Sequence, residues 1–201
     1  MNIFVLDKNP EVAATYHCDK HVVKMILEYT QILLMAFYRH NLILTQAQAI
    51  EQKELVSTIF KDFPRKNEDG SVNPYRVTHM NHPCTVWAAE SKENFTWLLQ
   101  LLGYLHTEYW IRYGRYRFDI DKPYLHACHP IYVWMCFRCN KITFPHDHRT
   151  EFVQAMPEVY RDIDTVKAYR NYYIGDKSKI AKWTNRNIPY WYSITYEEGE
   201  V

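Results

Sequence analysis

From Pro10 to Arg39, apolar positions recur with helical rather than alternating spacing. Asn9 suits an N-cap, Pro10 the first helical position and Glu11 the first turn. This pattern predicts one helix of roughly 30 residues, ~45 Å long. A second helix is predicted from Thr45 to Phe60, followed by a polar loop from Pro64 to Pro74 with turn signals at Asp69-Gly70 and Asn73-Pro74. A third long helix starts after Pro83, reaches Tyr113 and stops at Gly114. Leu125 to Cys139 fits a helix or a buried strand equally well. Asp162 to Thr165 opens a helix through Tyr173, Lys177 to Trp183 adds a turn or two, and Pro189 begins an aromatic tail. Asn2 to Leu6 reads as a short strand or an extended lead-in. No repeat or long linker interrupts the chain. The expected fold is all-α, a compact single-domain helical bundle over residues 1–201, with at most one short N-terminal strand.

The polar residues of the first helix carry the most specific signal. At about 100° per residue, His17, His21, Lys24, Glu28 and Gln31 fall within a sector roughly 80° wide. Val22, Val23, Met25, Ile26, Leu27, Ile32, Leu33 and Leu34 fill the other directions. A surface helix carries an apolar stripe on a polar cylinder; this one is the reverse. Either the polar groups satisfy one another in the core or line a narrow solvent strip, or they form one wall of an active site. On the second reading Lys24 is an amine nucleophile or a cation that stabilises developing negative charge. Glu28 is then a base or stabilises a cationic sugar, and His17 and His21 transfer protons or bind phosphate. The i, i+4 histidines also make half of a helical metal site, but no glutamate follows His17, so the zinc-protease helix motif is absent.

Composition narrows the classes. The chain is 47% hydrophobic and 16% aromatic, which suits a packed core, and its net charge of +1 argues against a strongly basic nucleic-acid binder. The five cysteines are odd in number, and Met1 to Leu6 is too short for a secretory apolar region. No apolar run approaches the ~20 residues of a membrane span. These features lead us to expect a cytoplasmic protein with reduced or metal-bound thiols.

Three further clusters stand out. Thr78 to Cys84 precedes a helix start, where Asn81 and His82 either cap the backbone or orient a base or phosphate. Tyr169, Arg170, Tyr173, Lys177, Lys182 and Trp183 interleave rings with cations, which suits phosphate contact with base stacking, or core rings with snorkelling lysines. Cys128, Cys136, Cys139, His146 and His148 offer a weak structural-zinc pattern against the reading of cysteine as a small core residue; no other cofactor is indicated.

Glu11 to His17 leading into a long helix, Asn81-His82-Pro83 before another that ends near Arg112-Tyr113-Gly114, and the closing Trp191-Tyr192 resemble the phage pyrimidine-dimer DNA glycosylase family of the endonuclease V type. The resemblance spans most of the chain through short motifs. It implies a helical fold and, in a phage, a host-cytoplasmic location. Its characterised members attack the sugar of a damaged nucleotide with the N-terminal amine, assisted by a first-helix carboxylate. Aligned on His17, Lys24 stands at that carboxylate position and Glu28 follows one turn later.

The expected function is thus glycosylase/lyase-like action at a base–sugar linkage, with DNA or a nucleotide as partner. Asn81, His82, Arg170, Lys177 and Lys182 would hold phosphates, and Tyr173 or Trp183 would stack the base. The alternatives are a non-catalytic phage protein that binds a nucleotide or host factor, and a metal-dependent hydrolase.

Overall fold

The computed structural model describes residues 1–40, 65–66, 72–73, 79–114 and 125–197. The helix expected from Thr45 to Phe60 and most of the loop after it lie outside the described residues. Seven α-helices are described: α1 Pro10–Tyr16, α2 Asp19–Arg39, α3 Pro83–Glu90, α4 Lys92–Tyr109, α5 His129–Arg138, α6 Thr165–Asp176 and α7 Tyr190–Glu197. The class is all-α, as expected. Arg65–Lys66 pairs antiparallel with Val72–Asn73 in a two-residue ladder. Asn2 to Leu6 is an extended lead-in without strand pairing among the described residues.

Two helices expected to be continuous are each broken once. His17 and Cys18 take extended backbone, with ψ of 130° and 162°, and separate α1 from α2. Ser91, at φ −140° and ψ 143°, separates α3 from α4. Each break has partners for the groups it frees. Arg112 donates to the carbonyls of Thr15 and His17. Ser91 bridges to the His146 segment, and Lys92 N donates to His146 O at 2.9 Å. The Leu125–Cys139 segment is helical over α5, and α4 ends in a π-helical turn, Trp110–Gly114.

Where the start signals are local they work as expected. Asn9 accepts from Glu11 N at 2.9 Å, and Asp164 accepts from Val166 N at 2.9 Å. Lys177 to Trp183 contributes one 3-10 turn, Ser178–Ile180.

The buried side chains form one continuous cluster. α2 lies at its centre, packed on α3, α4 and α5, while α1 packs on α4. Phe4 inserts from the lead-in beside His17, His21, Tyr169 and Tyr173. This fixes the first residues of the chain against the start of α2 and against α6. No helix among the described residues is long and apolar enough to cross a membrane.

Candidate functional site

The break before α2 divides the predicted stripe in two. His17 precedes α2 instead of riding on it, and it is fully buried. Its Nδ1 lies 2.7 Å from Ala13 O, and its Nε2 lies 2.9 Å from Tyr29 Oη. Tyr29 Oη also accepts from Phe4 N at 3.0 Å. The carbonyl partner requires the His17 proton on Nδ1, so Nε2 accepts the Tyr29 hydroxyl. His21 is buried, stacks on Phe4 at 4.4 Å and pairs through Nδ1 with Tyr173 Oη. Burial pushes the His17 pKa down to about 4 and the His21 pKa down to about 3; Arg112 adds to the first, and His17, Lys177 and Lys24 to the second. Both are therefore neutral core histidines. The proton-transfer or phosphate-binding role expected for them on an open wall is corrected: neither ring faces such a wall.

The lower half of the stripe stays at the surface. Lys24 Nζ is 3.3 Å from Glu28 Oε1 in an i, i+4 pair. The Lys24 side chain is 67% exposed and that of Glu28 only 14%. The other Glu28 oxygen accepts from Asn2 N at 3.3 Å. Asn2 is itself fixed, since its Nδ2 donates to Ala155 O at 2.9 Å and its Oδ1 accepts from Tyr169 Oη at 2.7 Å. Glu28 thus sits at a boundary, one oxygen toward a solvated amine and one toward the ordered lead-in.

His82 joins this neighbourhood from α3. Its Nδ1 accepts from Cys84 N at 3.2 Å and caps the helix. Its pKa is lowered by burial first, then by the α-amino group of Met1 and by His79, against an opposing pull from Glu28. The same Glu28 and Met1 charges act on Cys84. Next to this set lies a shallow groove of about 600 Å³, whose lining includes Pro83, Val153, Ala155, Arg161 and Ile163. Pro83 follows His82 in the chain, and Ala155 is the residue that holds Asn2. Lys24, Glu28, Asn2, His82 and this groove form the candidate site. Asn81 is exposed at its edge.

The third predicted cluster divides the same way. Tyr169, Tyr173 and Trp183 are core residues. Tyr169 Oη lies 2.7 Å from Val153 O, and Trp183 Nε1 donates to Tyr16 O at 3.0 Å. Their ring faces are used by the core, so the expected stacking of a base on Tyr173 or Trp183 is corrected. Arg170 is held by Leu6 O, Tyr190 Oη and Asp7 Oδ2 at 3.0 to 3.2 Å, which makes it an anchor for the lead-in. Lys177 pairs with Asp176 at 2.6 Å and lies over the Tyr172 ring at 4.5 Å. Lys182 is exposed, and its carbonyl accepts from Asp19 N at 2.7 Å.

The cysteine–histidine set is not gathered. Cys128 is buried, Cys136 is exposed and Cys139 lies half-buried. His146 and His148 stand together on the segment that packs against the start of α4. Among the described residues, no three His, Cys, Asp or Glu side chains are arranged to hold a metal ion.

Two features were missed from the sequence. Glu108 and Arg112, both buried, join Asp19 and Arg186 in one ionic network. The i, i+4 spacing of Glu108 and Arg112 was the available signal, but it does not foretell that Arg112 reaches back to α1. His106 is 7% exposed, and both of its ring nitrogens lack a partner among the described residues. Nothing in the sequence distinguishes it from a surface histidine. In comparisons with known protein families, curated proteins and solved structures, nothing matches the chain.

Proposed function

We propose that the protein is an enzyme acting at a base–sugar linkage of DNA or of a nucleotide, with Lys24 as the reacting amine and Glu28 as its proton carrier. One observation carries this reading: Lys24 Nζ stands 3.3 Å from a carboxylate that is itself largely withdrawn from water. Amine chemistry at a sugar carbon needs an amine that solvent and substrate reach, and a neighbouring base that takes its proton. The pair supplies both; the family that the first helix resembles also uses an amine and a first-helix carboxylate, though its amine is the N-terminal one.

The steps balance as follows. The Lys24 nitrogen forms a bond to C1′ while the C1′–base bond breaks. The leaving base takes the electron pair, and one amine proton reaches it by way of Glu28. The ring C1′–O4′ bond then opens, the second amine proton passes to O4′, and a C1′=N imine remains. Arg161, exposed on the neighbouring groove beside Asp162, would meet a phosphate. A base in duplex DNA would have to leave the stack to reach this surface.

Release of free base from DNA carrying pyrimidine dimers or abasic sites, and from a nucleotide panel, tests the reading. Lys24→Ala is expected to abolish release and Glu28→Gln to slow it by about 10²-fold or more, the range of general acid–base catalysis. Release at parental rates from both variants would overturn it.

A further inference from the structure

A second groove, of about 590 Å³, lies between the end of α1 and the segment that enters α7. Its lining includes Thr15, Tyr16, Asn185, Arg186, Asn187 and Tyr190. Its size is that of small-molecule sites, ~300–1,000 Å³.

The charges around it cancel. Arg186 gives Nε and Nη2 to Glu108 at 3.0 and 2.6 Å. Arg112 is held by Glu108 and Asp19, and Arg170 by Asp7. Three guanidinium groups thus face three carboxylates, and the groove offers no net attraction to an anion. What remains for a ligand is neutral. The side-chain amides of Asn185 and Asn187 make no hydrogen bond among the described residues, and each presents a donor beside an acceptor. Tyr16 and Tyr190 supply ring surface. Tyr190 is 61% exposed yet anchored, its hydroxyl accepting from Arg170 Nη1 at 3.1 Å and its ring 5.6 Å from the same guanidinium. Tyr16 meets it edge to face at 6.5 Å.

Free amides beside fixed aromatic rings suit a planar ring with adjacent donors and acceptors. An asparagine amide pairs in this way with the edge of adenine, and tyrosine rings stack on any base. We propose that this groove is a binding site for a neutral nucleobase, read by Asn185 and Asn187 and stacked against Tyr16 and Tyr190. The site stands apart from the Lys24–Glu28 pair and does not depend on amine chemistry there. The lead-in links the two regions: Asn2 touches Glu28 at one end, and Leu6 O holds Arg170 at the other. Four residue steps separate these positions, at most roughly 14 Å.

The test is a calorimetric titration of the full chain with adenosine, with thymidine and with inorganic phosphate. At least one nucleoside is expected to bind saturably below millimolar concentration, with phosphate not binding. Asn185→Gly and Asn187→Ala are each expected to weaken that binding tenfold or more with an unchanged thermal midpoint. Glycine takes the φ of 57° found at Asn185, so Asn185→Gly removes the amide and keeps the turn. Asn185→Gly carries the test alone if Asn187→Ala does not fold. No saturable nucleoside binding, phosphate binding as tight as nucleoside, or nucleoside binding kept at parental strength in Asn185→Gly would each overturn the proposal.

Discussion

The Arg112 guanidinium donates from Nη1 to the carbonyl oxygen of His17 at 2.8 Å, joining the end of α4 to the break between α1 and α2. The same group donates to Thr15 O, Asp19 and Glu108, so all of its hydrogen-bonding capacity is spent inside the protein. A helix that ends at Tyr16 leaves carbonyls without intrahelical partners, and Arg112 supplies the missing donors. The residue therefore fixes where α2 begins, and with it the direction in which Lys24 and Glu28 point.

Arg112→Ala is expected to destabilise the fold by about 3 kcal/mol, because it leaves the buried Glu108 with Arg186 as its one cation, leaves Asp19 with Thr184 alone, and takes the donor from the carbonyls of Thr15 and His17. Arg112→Lys is expected to recover little of that, since one ammonium cannot span the same fork of partners. Urea unfolding of the two variants measures this. A loss under 1 kcal/mol for Arg112→Ala would show that the break is set elsewhere.

Stability is expected to fall as pH drops below about 6.5. His17, His21 and His106 are held neutral in the fold, with pKa values pushed to about 4, 3 and 3, chiefly by burial. Each regains its ordinary value near 6.5 in the unfolded chain, which then binds more protons than the folded state. The stability is complete above pH 7 and is lost progressively between about pH 6.5 and 3, the His17 share ending near 4. Each histidine contributes a slope of up to about 1.4 kcal/mol per pH unit. Denaturant midpoints at pH 7.5, 6 and 5 check this; a flat profile would mean that the rings are not buried neutral.

His106 separates from the other two. With no partner on either ring nitrogen among the described residues, it loses hydrogen bonds to water on folding without replacement. His106→Leu is expected to raise stability by about 1 kcal/mol at pH 7 and to reduce the acid-side slope. Destabilisation instead would assign the ring a partner of its own.

Tyr173→Phe removes the partner of His21 in the core. It is expected to cost about 1 kcal/mol of stability and to leave the affinity for any nucleotide substrate unchanged. A selective loss of substrate affinity in this variant would return Tyr173 to the binding surface.

The all-α class and the helix starts were legible because they rest on local chemistry. Asn9-Pro10 and Asp164-Thr165 cap where they stand, whatever packs beside them. The breaks at His17–Cys18 and Ser91 were not legible. Apolar spacing runs through both, and the groups that stabilise them come from Arg112 and from the His146–His148 segment, far away in sequence. That error propagated into the candidate site. Placing His17 on one face with Lys24 and Glu28 assumed a continuous helix. His21 does ride on α2 with them but is covered by Phe4 and Tyr173, so only the i, i+4 pair of Lys24 and Glu28 survives as a surface feature. The aromatic cluster failed for another reason. Composition does not tell a ring that stacks on a ligand from one that fills a core, and Tyr169 and Tyr173 fill the core.

Borohydride trapping tests the central claim most directly. The protein would be reduced in the presence of DNA carrying abasic sites, and the adduct mapped by mass spectrometry. The account predicts a covalent sugar adduct on Lys24, lost in Lys24→Ala and diminished in Glu28→Gln. An adduct on Met1 instead, or none on any substrate, would contradict the assignment of Lys24 as the reacting amine.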